Sequence, residues 1–219
     1  KNDPHNINNL ADDPRYADKL QELRTACLNW MLQIHDAALL PEGEMRMQAS
    51  EKGISIYELV RQEDFPLSKL LQAADIATQR NNNASNLPEI ISMLNDAYPA
   101  VRYWAASGLL TNINAAKIDK SYILPLLEDE STDVQIVAAE LLYHHYGEQE
   151  TAMKILKRAL VHEEIMVRVR ALNVLEYIGK GAEVLKEELQ VLTEKEAPNH
   201  ANYDIRAAEN VLLKIKAQK

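Results

Sequence analysis

The sequence predicts an all-α protein made mostly of repeated helix pairs, and three observations support this. Glycine is scarce at 6 of 219 residues, about 3% against a usual 7%. Hydrophobic residues make up 47% of the chain but aromatic residues only 5%, so the apolar side chains are mainly those that pack helices. A helical pattern also recurs every 33 residues, since valine stands at positions 101, 134 and 167. Such a fixed period is typical of stacked repeats.

The first predicted helix begins at Asp13-Pro14, a capping acid followed by proline at the first helical position. Apolar residues then recur at steps of three and four, which indicates one apolar helix face. They are Tyr16, Leu20, Leu23, Cys27, Trp30, Met31 and Ile34. We expect the helix to end near His35 and Cys27 to be a buried, inert thiol on this face.

From Asp36 to Phe65 the pattern loosens around Pro41, Gly43 and Gly53. We interpret this segment as an irregular connector with one short helix at residues 56–60. It separates two predicted regions. Residues 1–66 form a tail with the long helix and connector, and residues 67–219 form the repeat domain.

About four helix pairs are expected after a preceding helix at residues 67–79. The first helices of the pairs are predicted at residues 87–95, 121–127, 152–161 and 182–193. Their partners are predicted at residues 99–112, 133–146, 164–178 and 203–216. Gly147 and Gly179 lie where second helices should stop, as left-handed caps require. The fourth copy is looser, with Pro198 and Asn199 in its turn.

The turn into the second helix carries a recurring string that is similar to HEAT-type repeats. In the first unit this string is Asp96 followed by Val101-Arg102 and Ala105-Ala106. Gln135 replaces the arginine in the second unit, and His162 replaces the aspartate in the third. The resemblance implies a HEAT-like α-solenoid over residues 67–219.

The N-terminal third resembles the C-terminal region of bacterial sulfatases, in the subgroup of arylsulfatases and N-sulfoglucosamine sulfohydrolases that carries helical-repeat extensions. The matching residues are Asp3-Pro4, Asn9-Leu10-Ala11 and Pro14, then Trp30, Asp36 and Leu39-Leu40-Pro41-Glu42, and finally Tyr57-Glu58-Leu59 and Phe65-Pro66-Leu67. Asn6 stands where the family has glutamate, and Ala38 where it has glycine.

The resemblance implies that the catalytic domain is absent and would lie upstream of Lys1. The family's nucleophile is a formylglycine made in a C/S-x-P/A-x-R string and held with calcium, and no such string occurs here. We therefore expect no catalytic residue, cofactor or metal in this chain. Its partners would be its own sulfatase domain and sulfated glycan or protein, in the periplasm or outside the cell. A free-standing protein-interaction scaffold is the alternative.

Charge and hydropathy argue against other classes. The net charge is −9 without a basic cluster, which disfavours nucleic acid. No stretch of 18 apolar residues occurs, so no membrane span is expected. One cysteine excludes an internal disulfide.

Four residues are candidate contacts. Asp36 and Glu42 lie in the connector, which we expect near the substrate in the intact parent. Tyr103 and Trp104 form a candidate interaction surface, although at least one should be core.

Three further groups of residues have both a functional and a structural interpretation. His144, His145 and His162 could bind zinc, but adjacent helical histidines point about 100° apart. Asp3, Asp12 and Asp13 could hold calcium, but helix capping explains two of them. Arg102 and Arg168 could bind an anionic glycan, but pairing with acids of adjacent turns is favoured.

Overall fold

The computed structural model describes residues 7–79, 85–112, 118–194 and 202–217, and within these ranges every regular element is helical. This confirms the all-α class. The Asp3-Pro4 string and the turn at Pro198-Asn199 lie outside the described residues. No described helix has both the length and the hydropathy needed to cross a bilayer.

The helix bounds follow the repeat pattern closely. The α-helices are α1 (Ala17–Ile34), α2 (Glu42–Lys52), α3 (Ile56–Leu59), α4 (Leu67–Thr78), α5 (Leu87–Met93), α6 (Pro99–Asn112), α7 (Thr132–His145), α8 (Gln149–Ala159), α9 (Ile165–Ile178), α10 (Lys186–Thr193) and α11 (Tyr203–Ala217). Short 3₁₀ helices cover Pro14–Tyr16, Lys120–Tyr122, Leu124–Glu128 and Gly179–Leu185.

Helix α1 has the predicted ends but not the predicted burial. Asp13 accepts a hydrogen bond from the Arg15 backbone N–H and caps the 3₁₀ turn before α1, and His35 ends the helix with a φ of 56°. However, no residue of α1 is buried. Cys27 is exposed, so its prediction as a buried thiol is wrong. The apolar face is present in the sequence, but little of this chain packs on it.

About half of the predicted irregular connector is helical, and α2 corrects the expectation of a single short helix there. Residues 42–52 form α2, and Ser55 caps α3 with a reciprocal bond from Glu58. Gly53, at a φ of 63°, ends α2 in the left-handed conformation that glycine adopts at low cost. Proline and glycine here mark the helix ends, because Pro41 precedes α2 and Gly53 follows it.

The predicted pairs are present and pack in chain order. The second helices α6, α7, α9 and α11 contact one another successively, and α4 packs on α6 ahead of them. In the second unit the first helix is two 3₁₀ turns instead of an α-helix. Gly147 and Gly179 have positive φ values of 69° and 68° where α7 and α9 end. The relation to HEAT repeats and the boundary at residue 66 stay predictions.

Two clusters of buried residues form the core. The larger runs from α4 to α11 and includes Leu109, Leu141, Leu156 and Leu172, all fully buried. The smaller contains Leu40, Ala49, Leu59, Leu70 and Ala100. It joins the segment before α4 to the repeats, so α2 is held in a fixed position.

Candidate functional site

Buried polar side chains are grouped where α2 and the residues before it lie against the repeats. We call this contact the α2 interface. Its members are Leu39, Gly43, Glu44 and Arg46 on one side and Tyr103, Trp104, Asp133, Glu164, Val167 and Arg170 on the other. It brings together helices α6, α7 and α9 with a segment far away in sequence.

The predicted aromatic pair lies inside this interface. Tyr103 is buried, with 9% of its surface exposed. Trp104 is half-buried and its Nε1 donates a 2.7 Å hydrogen bond to the Leu39 carbonyl. The two rings meet edge to face at 5.5 Å. Tyr103 is therefore core, as expected for at least one of the pair, while a partner contact by Trp104 stays a prediction.

Asp133 is the most unusual residue of the interface because its carboxylate is buried, with 3% exposure. It belongs to the first turn of α7, but it lies against the first turn of α2, where the Glu44 backbone N–H favours the charged form of its carboxyl. A carboxylate beside a helix N-terminus interacts favourably with the helix dipole. The carboxylate of α7 thus lies next to the positive end of α2.

Gly43 makes this close approach possible. A Cβ at position 43 would lie 2.7 Å from Oδ2 of Asp133 and 2.7 Å from Cγ2 of Val167. Both distances are shorter than ordinary van der Waals contact. Residue 43 therefore needs glycine for packing, not for an unusual φ.

Burial dominates the electrostatics of Asp133. It raises the pKa of the carboxyl from about 3.8 to about 6, although the Arg170 guanidinium opposes this rise. Arg170 Nε lies 3.8 Å from Oδ1 of Asp133, too far for a hydrogen bond. The carboxylates of Glu44 and Glu164 add to the rise by repulsion. The ion pair therefore compensates only part of the desolvation cost.

Arg170 lies at the centre of this polar cluster. Its guanidinium carbon is 4.3 Å from the centroid of the Tyr103 ring, a cation–π contact. Its Nε is buried without a hydrogen-bond partner among the described residues. Burial also raises the pKa values of Tyr103 and Glu140, and the Arg170 charge opposes the rise at both.

Arg46 closes the exposed edge of the interface. Its Nε forms a 2.8 Å ion pair with Glu164, whose Oε1 also accepts the Met166 backbone N–H at the start of α9. Such a partly exposed pair contributes little stability.

The predicted substrate-proximal residues lie at the N-terminal approach to α2. Asp36 is half-buried and its Oδ1 accepts the Ala38 backbone N–H at 2.9 Å. Glu42 is exposed in the first turn of α2. Their structural positions explain a turn and a helix start, and substrate contact by either stays a prediction.

The repeat arginines form a structural ladder. Arg102 makes two 2.7 Å bonds to the Asp129 carboxylate in the next turn, and Arg168 makes one of 2.7 Å to Asp204. Both also donate to backbone carbonyls of their own turn. Gln135, in the arginine position of the second unit, donates to the Asp129 carbonyl. Both guanidinium groups pair with acids of adjacent turns, which is the structural role that the sequence analysis favours.

The candidate metal residues do not form a cluster. His144 packs edge to face between Tyr143 and Tyr177, with ring centroids 5.2 Å away on each side. His162 uses Nδ1 to accept the Glu164 backbone N–H. In the described part of the chain, no three His, Cys, Asp or Glu side chains are grouped to hold a metal ion. Asp3 lies outside it.

Several clefts lie along the described part of the chain, and two of them differ in chemical character. One, of about 280 Å³, lies beside α2 and is lined by Gln48, Lys52, Gln62, Asp64, Phe65, Pro66, Ala97 and Tyr98. The other, of about 750 Å³, lies between α8 and the 3₁₀ helix at 179–185 and has an apolar floor that includes Met153 and Val184. The small cleft combines donors, acceptors and aromatic rings, while the large one is mainly apolar.

Sequence reasoning missed Gly43, Asp133 and Arg170. In the sequence, Gly43 indicates a break in a helix, and Asp133 is an ordinary acid in the first turn of a predicted helix. Their roles come from contacts between different helices that are far apart in the sequence. The sequence offers one signal for Asp133, because this residue directly precedes one of the valines that recur every 33 residues.

Comparison with known proteins gives one partial match. A 45-residue stretch is 47% identical to an ulvan-active sulfatase of Formosa agariphila. It covers 20% of this chain and only 8% of that protein's length. No family model and no solved structure matches. The match supports a relation to sulfatases, and it says nothing about the repeats.

Proposed function

We propose that this chain is the non-catalytic helical region of a sulfatase that acts on sulfated glycans. The observation that carries the proposal is the 47% identity over 45 residues to a sulfatase described as ulvan-active. In this proposal the residues that hydrolyse the sulfate ester or sulfamate, with formylglycine and calcium, belong to an upstream catalytic domain. The protein would be periplasmic or secreted, and its repeats would be HEAT-like.

The exposed apolar face of α1 supports docking to such a domain. Leu23 and Trp30 are each 59% exposed, and Ile34 is 39% exposed. With Cys27 they follow helical spacing on one side of α1. We call these four residues the α1 stripe. Contiguous apolar surface on a soluble protein marks an interaction site, because leaving it in water costs about 25 cal/mol per Å².

The first experiment determines the coding sequence upstream of Lys1. The proposal requires an open frame that continues into a C/S-x-P/A-x-R string. A frame that begins near Lys1 would instead favour the free-standing interaction scaffold. Under the proposal, the purified 219-residue chain should turn over aryl sulfate only at the background rate.

A second experiment tests docking in the intact parent. Leu23→Ser and Trp30→Ser should lower the melting temperature of the catalytic domain and its kcat/KM on a sulfated glycan. Leu213→Ser is the matched control, because Leu213 is 62% exposed on α11 at the other end of the repeats. Equal effects of Leu23→Ser and Leu213→Ser would show that α1 has no docking role.

A further inference from the structure

The small cleft beside α2 has walls from three separate segments. Gln48 and Lys52 come from α2, Gln62 and Asp64 from the turn before α4, and Tyr98 from the start of α6. Phe65 and Tyr98 meet edge to face at 6.0 Å and form the apolar part of the lining. The cleft is therefore built by the tertiary fold, and no single segment forms it.

Its polar groups have the complementarity that a sugar ring needs. A sugar hydroxyl both donates and accepts. Gln48 donates its amide N–H to Glu44 and keeps its oxygen as an acceptor, while the Gln62 oxygen accepts from Lys52 and its amide nitrogen stays as a donor. Asp64 supplies further acceptors. The contact from the Tyr98 hydroxyl to Gln48 Oε1 is 3.5 Å, longer than a strong hydrogen bond, so this hydroxyl can bond elsewhere. The aromatic lining suits the C–H face of a pyranose. The volume of about 280 Å³ is slightly below the range of about 300 to 1,000 Å³ for drug-sized ligands, so the cleft fits one sugar ring and no more.

Lys52 provides a cation at the rim of the cleft. Its Nζ is 2.5 Å from Oε1 of Gln62, a neutral amide. None of the ion pairs between described residues includes it. An ammonium whose charge is not compensated by a contacting carboxylate suits an anionic substituent, even though Asp64 also lines the cleft.

We propose that the cleft lined by Gln48, Lys52, Gln62, Asp64 and Tyr98 binds one sugar ring, with a sulfate substituent placed at Lys52. The choice of sulfate rests on the proposed function. The binding of a sugar ring rests only on the lining of the cleft. The site would hold one residue of a longer glycan away from any reacting atoms, so it is a binding site and not a catalytic one.

The test titrates the ¹⁵N-labelled 219-residue chain with N-acetylglucosamine 6-sulfate and with unsulfated N-acetylglucosamine, followed by NMR. Millimolar concentrations of both sugars should shift the amide signals around the cleft. Tyr98→Phe and Gln62→Ala should each weaken binding about five- to tenfold, the usual effect of one hydrogen bond. Tyr177→Phe, on an exposed tyrosine of α9, should bind like wild type.

A separate variant tests whether the sulfate is bound at Lys52. Lys52→Gln should weaken binding of the sulfated sugar about tenfold and leave the unsulfated sugar unchanged, because only a charged partner is lost. Lys154→Gln, at an exposed lysine of α8, is the control. Equal loss for both sugars, or no loss, would overturn the assignment of sulfate to Lys52.

Two results would overturn the sugar site itself. One is the absence of shifts with either sugar, and the other is wild-type binding by both Tyr98→Phe and Gln62→Ala. Either result leaves the proposed sulfatase role standing, since no sulfatase activity is measured here. Conversely, an upstream frame without a sulfatase motif would remove the proposed function and leave a measured sugar site intact.

Discussion

Asp133 makes the folded state sensitive to pH in an unusual direction. Most carboxylates in folded proteins are stabilised in their charged form, so acid weakens the fold. Asp133 is the reverse, because burial raises its pKa from about 3.8 to about 6. Replacing it by asparagine removes the titration and keeps a polar side chain of nearly the same size.

The size and sign of the effect follow from the pKa. A pKa that is higher by about two in the folded chain corresponds to about 3 kcal/mol of free energy. Above pH 6 the carboxylate is charged in both folded and unfolded chains, and the full cost of burying it is present. As the pH falls from about 6 to about 4, the folded chain binds a proton that the unfolded chain does not yet bind. The contribution of Asp133 to the free energy of unfolding therefore rises by up to about 3 kcal/mol on acidification.

The assay is urea unfolding of wild type and Asp133→Asn, followed by far-UV circular dichroism between pH 7 and pH 4. The difference in the free energy of unfolding, wild type minus variant, should grow in favour of wild type as the pH falls. Asp64→Asn makes the same chemical change at an exposed site and should show less than a third of this growth. A constant difference, or one that moves against wild type in acid, would refute the reasoning, since it would mean that Arg170 attraction outweighs burial.

Two packing predictions use the same unfolding assay at pH 7. Gly43→Ala should lower the free energy of unfolding by about 1–2 kcal/mol, because overpacking against Asp133 and Val167 exceeds the gain in helix propensity of about 1 kcal/mol. Ser50→Ala, exposed on the same helix, should be neutral or slightly stabilising, and a stabilising Gly43→Ala would show that the contact is not tight. Arg102→Ala should cost about 3 kcal/mol, because it leaves the 7%-exposed Asp129 carboxylate unpaired. Arg15→Ala, at a 79%-exposed arginine, should leave the urea midpoint unchanged, and equal effects of the two arginine variants would contradict the structural ladder.

Periodicity predicted some elements well and others poorly. Helix α6 spans Pro99–Asn112 as predicted, and the positive φ values of Gly147 and Gly179 fit their predicted places at helix ends. Local rules suffice there, since a 3.6-residue period and a capping glycine act within a few residues. The connector was mispredicted because Pro41 and Gly53, which border α2, resemble loop residues when read alone.

The candidate site could be predicted only in part. Asp36, Glu42 and Trp104 lie around the start of α2, and their proposed contacts stay predictions. Asp133 and Arg170, which lie against this segment, were not predicted as site residues. Gln62 and Tyr98 meet across the cleft from parts of the chain that share no pattern. Contacts of this range leave no periodic trace in a single sequence.

The helical class and most helix ends follow from the sequence alone, because each depends on neighbours within one or two turns. The exposure of the apolar face of α1 and the burial of Asp133 depend on the tertiary structure. A helical pattern determines which residues share a face, whereas burial depends on what another part of the chain places against that face.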